Sequence, residues 1–293
     1  MKKILVSVNI ITLGRPTLYK TLESVCNQVF SRPYEINLIL QWDIDQKVID
    51  KLNKKNISIH IHTYKHWLGF WYYRNEAIKR SNGDILVWID DDEWTKDNKR
   101  LDSITEPILK EEYGVVTAWV EVQLGKWYRT DCISLLWYPW WWAIGFKKLW
   151  TVNTNWTTQH LCSGNFAFDR AILKKIWLFQ ASLKSWAEDV AFAEAVNKQN
   201  INILYNEAST VYHIHRSWFV NFCRWHFIRG RSAYEFSKLG IINQNHKKEK
   251  MKSIRNILFN RTMGIKYFPW VRFMFFVQYL FQIIGMVYAK TTT

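Results

Sequence analysis

The chain has 293 residues, 48% hydrophobic and 22% charged, enough apolar content for a full core and too much for a disordered chain. Forty Lys and Arg against 25 Asp and Glu leave a formal charge of +15, which favours polyanionic partners or anionic lipid. Cys26, Cys132, Cys162 and Cys223 lie far apart with no CxxC pair. That excludes a disulfide scaffold or a zinc module and suits a reducing cytosol.

The elements follow in order. Ile4 to Thr12 reads as a buried strand, not a signal peptide, because Ser7, Asn9 and Thr12 interrupt it and no small-residue cleavage site follows. Pro16 to Gln28 reads as a helix opened by Pro. Strands are expected at Tyr34–Leu40 and Ile57–Thr63, with a helix at Asp45–Lys54 between them. A helix over Arg74–Ser81 closes at Asn82-Gly83, and the apolar strand Asp84–Ile89 runs into Asp90-Asp91-Asp92-Glu93. This alternation implies a doubly wound, mostly parallel sheet flanked by helices, with ligands at the carboxyl ends of the strands. Thr95–Lys110 reads as a helix and Gly114–Val122 as a strand, while the Trp-rich stretch 125–160 has little periodicity. Then come a strand at Ser163–Phe168, helices at Asp169–Ile176 and Ala187–Asn200, and extended pieces at Ile201–Tyr205 and Val211–His215.

From Ser217 the chain is helical, basic and aromatic. Residues 1–240 are expected to form one catalytic domain and 241–293 a basic, amphipathic helical extension. Phe273–Ala289 is near the lower length limit for a membrane span, but Gln278, Gln282 and Gly285 share one helix face. With seven Lys/Arg and one acid in residues 241–266, this suits a helix at the surface of an anionic leaflet. A helix packed on the protein's own core is the plainer alternative.

The chemistry concentrates at Asp90-Asp91-Asp92-Glu93. Carboxylates crowded at a strand end repel unless a cation neutralises them, and hard oxygen ligands suit Mg²⁺ or Mn²⁺ bridging to substrate phosphates. A solvated acidic turn is the default for a charge run, but this one follows a buried-looking strand in a basic protein.

Over roughly residues 4–235 the sequence resembles the inverting glycosyltransferases of family 2, which have the GT-A fold. The matching stretches are Val6–Pro16, Thr21–Val25 with Gln28, Arg74–Ile78, Asn82–Leu86 leading into the DxD-like acidic run, Ser163–Arg170, and Glu188-Asp189-Val190. Their order and spacing, more than any single one, carry the resemblance. It implies a GT-A catalytic domain with a C-terminal helical extension. It also implies transfer of a sugar from a nucleotide diphosphate donor, a UDP-sugar, to a glycan or lipid-linked acceptor, with Mn²⁺ or Mg²⁺ as cofactor. Thr12, Arg15, Gln41 and Arg74 would line the nucleotide-sugar pocket, with Asp90 and Asp91. Asp92 would hold the metal, with Asp90 and with His213 or His215 as further ligands. Asp189 would be the general base, with Glu188 beside it. The expected place is the cytoplasm, peripheral at the inner face of the cell membrane, with no nucleic acid partner.

Two departures stand out. Gln41 occupies a position where the family usually places an Asp for the base. Tryptophan is also over-used, at 18 residues against 11 glycines. Trp42, Trp177 and Trp186 stand where the family has Gly, and Trp71 and Trp119 look similar. Gly at such turns supplies a left-handed backbone or a close approach, and Trp does neither cheaply. UGA codons read as Gly in the source genome would account for the pattern.

Three other readings compete. A catalytically impaired sugar-nucleotide-binding protein keeps the fold without turnover. A basic, aromatic single-stranded nucleic acid binder would want stacking aromatics repeated on strands, which are missing. A nucleotidyltransferase would want a Gly-rich phosphate loop, which Thr12-Leu13-Gly14-Arg15 is not. Asn221–Trp225 only faintly resembles the QxxRW signature of processive synthases.

Overall fold

The computed structural model describes residues 5–40, 49–50, 57–66, 68–122, 127–136, 152–176, 178–179, 188–216, 218–238 and 268–292. The chain forms two compact units: residues 1–121, 152–184 and 188–214, and residues 122–151, 185–187 and 215–293. Besides residues 122–151 and 185–187, the second unit takes in residues 215–293, with the whole helix that follows residue 218.

In the first unit, β1 (Val6–Thr12), α1 (Leu18–Cys26), β2 (Tyr34–Leu40), β3 (Ser58–Thr63), α2 (Phe70–Arg80) and β4 (Ile85–Ile89) follow in order. β3, β2, β1 and β4 lie side by side and parallel, with Val8 opposite Ile36 and Val87. The expected helix at Asp45–Lys54 falls mostly outside the described residues, and α2 starts four residues earlier than expected. Buried side chains on both faces of β1 and β4 suit strands covered by helices above and below.

Past β4 the chain departs from the expected plan. Thr95, expected to begin a helix, instead ends the short strand β5 (Glu93–Thr95), and α3 (Arg100–Leu109) starts only afterwards. The single strand expected at Gly114–Val122 is two, β6 (Val115–Thr117) and β7 (Val120–Val122). They belong to different sheets, because Ala118 and Trp119 turn the chain. The Ala118 N–H donates to the Asn165 carbonyl, and the Trp119 carbonyl accepts from the Asn165 side chain. β9 (Asn165–Asp169) runs antiparallel between β4 and β6, followed by a 3-10 turn, Arg170–Lys174, where an α-helix is expected. The main sheet is completed by β8 (Thr157–Thr158) and β10 (Ile203–Tyr205), and a second sheet joins β5, β11 (Val211–His213) and β7. Trp88, Phe166, Phe168 and Phe192 fill the core between the sheet and α5 (Glu188–Lys198).

The second unit packs α4 (Tyr128–Leu136), a helix within the stretch that lacked periodicity, against α6 (Phe219–Lys238) and α7 (Phe268–Thr292). Leu136, Phe222, Val271 and Met274 lie in this core. One polar tie crosses it. His226 Nε2 donates to the Leu136 carbonyl at 3.2 Å, so its Nδ1 is the acceptor that faces Gln282 Nε2 at 3.2 Å. Burial, then the charge of Arg229, pushes the His226 imidazole down to about 3.

The backbone bears on the tryptophans. Neither Trp71 nor Trp119 has a left-handed φ, so that argument for glycine does not hold there. Trp42, Trp177 and Trp186 lie outside the described residues. Trp156, however, has φ 62°, a conformation that costs an L-residue about 1 kcal/mol or more. We expect the gene to carry UGA at Trp156 and at some of Trp42, Trp177 and Trp186; UGG at all four would refute the recoding.

His226 also sets an acid limit. The unfolded chain takes up this proton near pH 6.5, while the folded chain resists until about 3. Its contribution is complete above about pH 6.5 and shrinks by about 1.4 kcal/mol per unit as pH falls below that. Thermal midpoints measured against pH should show this slope in the parent and its loss in His226→Gln.

Candidate active site

β4 is buried at all five positions, and the chain leaves it at Asp90 to turn into β5. Asp91, Asp92 and Glu93 are therefore buried, and Asp90 is half-buried. Each carboxylate has acquired a countermeasure. Thr12 Oγ1 donates to Asp91 Oδ2 at 2.6 Å and accepts from the Gly14 N–H at 3.0 Å, tying the end of β1 to the acidic turn. Arg15 Nη1 lies 3.2 Å from Asp92 Oδ2 and 3.6 Å from Asp91 Oδ1. Burial raises the Asp91 carboxyl and Asp92 adds to it, against the pull of Arg15.

Short-strand pairing delivers the histidine. β11 runs antiparallel to β5 with His213 opposite Glu93, and the Ile214 N–H donates to the Asp92 carbonyl at 3.1 Å. His213 Nε2 then sits 3.1 Å from Asp92 Oδ1, both side chains buried. His213 Nδ1 lies 2.7 Å from the Ile214 carbonyl, which only accepts, so Nδ1 carries a proton. In the neutral ring Nε2 presents a lone pair to a carboxylate oxygen. Two acceptors at this range need a proton or a cation between them. His215, the other histidine considered, instead places Nε2 2.9 Å from Asp131 Oδ1 within the second unit.

This donor set fits a divalent cation. A carboxylate and an imidazole whose far nitrogen is fixed by a carbonyl are an ordinary metal-binding pair. Their 3.1 Å separation is close to that of two adjacent ligands on an octahedral ion with bonds of about 2.1 Å. Among the described residues no three His, Cys, Asp or Glu side chains form a ready cage. Among the described residues Asp92 and His213 are two such donors, and an ion held by few protein ligands keeps positions for phosphate oxygens.

The expected base lies on α5. Glu188 and Asp189 occupy its first turn, where the helix dipole favours negative charge. Arg74, expected near the donor, is committed elsewhere. Its Nε donates to Glu188 Oε1 at 3.0 Å and its Nη2 to the Ser163 carbonyl at 3.0 Å. The guanidinium lies over Trp88, Phe166 and Phe179, 4.9 to 5.5 Å from their ring centres. Glu188 is thus bound to a buried arginine, while Asp189 is half-buried and accepts at Oδ1 from the Val190 N–H at 2.9 Å. Gln41 lies outside the described residues.

Glu93, Gly164, Arg100 and Asn165 are buried in the site, and sequence reasoning gave none of them a separate role. Glu93 Oε2 accepts from the Asp90 N–H at 3.4 Å, and burial, with Asp90 and Asp92, drives its carboxyl well up. Gly164 makes room for it, since a Cβ there would come within 2.4 Å of Glu93 Oε1. Arg100 donates to Asn165 Oδ1 and to the Trp88 carbonyl, and burial lowers it to about 10. Asn165 in turn donates to the carbonyls of Trp119 and Ser209. The signal for Glu93 was present in the acidic run; Arg100 lies in a stretch with no motif.

The sequence model of glycosyl transferase family 2 matches residues 7–177, more than half the chain. No curated protein sequence matches. Among solved structures, similarity extends to GalNAc-T7 with UDP, GalNAc and Mn²⁺, with TM-score 0.59, 15% identity and 86% of this chain covered. This chain spans 55% of that one, about half its length. A Pyrobaculum calidifontis mannosyltransferase with GDP-Man and Mn²⁺ aligns at TM-score 0.61 and 13% identity, covering 97% of this chain and 86% of that one. S. aureus TarS, residues 1–349, aligns at TM-score 0.55 and 18% identity, covering 96% and 80%. These likenesses establish the GT-A fold.

The buried Arg74–Glu188 pair yields a stability prediction. Arg74→Ala leaves Glu188 buried without its cation and should cost about 3–5 kcal/mol in denaturant unfolding. Arg74→Met combined with Glu188→Gln should recover much of the loss. A cost under about 1 kcal/mol for Arg74→Ala would show that the pair does not hold α5. With the family match over residues 7–177 and the fold likeness over most of the chain, the protein belongs to glycosyl transferase family 2.

Proposed function

We propose that the protein is a divalent-cation-dependent inverting glycosyltransferase that moves a hexose from a nucleotide diphosphate sugar to a glycan or lipid-linked acceptor. Its place is the cytoplasmic side of an anionic membrane. The observation that carries this reading is the buried pair of Asp92 Oδ1 and His213 Nε2, 3.1 Å apart, beside Arg15. Related structures hold UDP or GDP-Man, two of them with Mn²⁺, which supports a nucleotide-sugar donor and a metal here.

In this reading Asp92 and His213 hold Mn²⁺ or Mg²⁺, with Asp90 near enough in sequence to assist. The bound ion supplies charge neutralisation for the departing diphosphate. Arg15 is half-exposed and offers the remaining cationic donor to the phosphates, while Thr12 sets the turn that carries it. Asp91 supports that turn from beneath, being taken up by Thr12 and Arg15. Inversion needs one carboxylate to take the proton of the attacking acceptor hydroxyl. Asp189 suits that role better than Glu188, whose carboxylate is occupied by Arg74. Arg74 and Glu188 position the start of α5, and with it Asp189.

The test is turnover of UDP- and GDP-sugars with Mn²⁺. Asp92→Ala and His213→Ala should each lose at least about 100-fold in kcat/KM, partly recovered by raised Mn²⁺. Asp189→Asn should lose a similar factor in kcat while keeping donor affinity. Equal turnover in parent and variants would refute the mechanism. Donor binding with no turnover in any of them would leave a sugar-nucleotide-binding protein. Salt-sensitive binding of single-stranded nucleic acid without donor binding would replace the reading altogether.

A further inference from the structure

We propose that α7 lies along a membrane rather than across it, with its outer face in one leaflet of an anionic bilayer and α6 on the aqueous side. This builds on the membrane association proposed above and is independent of the transfer chemistry.

By length and composition α7 could cross a bilayer. Pro269–Thr292 is a candidate span of mean hydropathy 1.5, and only 33% of its most apolar window is buried. The exposed part is a continuous stripe of Phe273, Phe276, Leu280, Ile283, Ile284 and Val287, each at least 43% exposed. Their three- and four-residue spacing places them on one side of the helix.

The opposite side is committed to α6 at backbone contact. A Cβ on Gly230 would meet the Gln282 carbonyl oxygen at 2.0 Å, and one on Gly285 would meet the Phe227 carbonyl oxygen at 2.0 Å. Each helix contributes a glycine to the crossing, and the His226–Gln282 hydrogen bond lies beside it. Gln278 is also buried on this side. The two helices therefore move together.

α6 cannot follow α7 into hydrocarbon. Arg224, Arg231 and Lys238 are exposed along it, with Asn221 and Ser237. Placing three cations at bilayer depth is strongly unfavourable. With the pair flat on the surface, the apolar stripe enters the leaflet and the cations of α6 stay in water.

The rim of the stripe favours lipid over a second copy of the chain. Arg272 and Lys290 are exposed near the two ends of α7, and Tyr279 and Tyr288 are exposed beside the stripe. The Arg129 guanidinium lies 5.2 Å from the Trp270 ring centre at the same end as Phe273. Aromatic and cationic side chains around an apolar band are the composition of a membrane interface. α7 has no acidic residue to pair with the cations of another copy. The whole chain carries +15, which an anionic leaflet attracts.

The experiment uses the full chain with vesicles of phosphatidylcholine, with and without phosphatidylglycerol. Flotation should require phosphatidylglycerol and weaken with salt. Phe276→Asp with Ile283→Asp should reduce partitioning by about 100-fold or more, with the thermal midpoint unchanged because both positions are exposed. Nitroxides on Phe273→Cys, Leu280→Cys and Val287→Cys should report one shared shallow depth, and Arg231→Cys an aqueous site. The four native cysteines are buried and should label little. A depth profile peaking at 280 and falling toward 273 and 287 would mean that the helix spans, overturning the orientation alone. No flotation on any vesicle, or a dimer dissolved by the Asp variants, would overturn membrane docking.

Discussion

Four consecutive carboxylates at the end of a buried strand are the constraint around which the first unit is arranged. Sheet pairing puts them there, and burial removes the water that would otherwise solvate them. The neighbouring elements each supply relief. β1 and the turn after it send Thr12 and Arg15, β11 sends His213, and α3 sends Arg100 toward Glu93. Residues far apart in the chain are thus drawn to one turn by one electrostatic problem. At Asp92 and His213 the relief is a direct pairing of carboxylate and imidazole, which a proton or a cation on Nε2 completes.

The left half of the sheet was readable because its strands are long and patterned, and Pro16 and Asn82-Gly83 mark where a helix opens and another closes. Tyr34–Leu40 has the bounds that the pattern suggests. Beyond Asp92 the elements become too short for a periodic signal. β5, β7 and β11 have three residues each, yet their pairing is what brings His213 to Asp92. The two sheets part at Ala118–Trp119 because the Asn165 side chain captures the Trp119 carbonyl, and no local pattern announces such a contact.

The acidic run and the Glu188-Asp189 pair were visible as motifs, but the division of labour within them was not. His213 and His215 are equivalent by spacing, and only strand register separates them. One faces the acidic turn and the other pairs with Asp131. The family resemblance implies a place for Arg74 near the donor. The structure buries it against Glu188, a partner 114 positions away that no sequence window contains.

That placement has a mechanical consequence. The Arg74 charge is enclosed by three aromatic rings and has its ion pair with Glu188 at the first residue of α5. Any swing of α5 away from the sheet would leave a bare guanidinium among ring faces, with no water to receive it. The helix start is accordingly a fixed anvil, held against the sheet by a charge that has nowhere else to go.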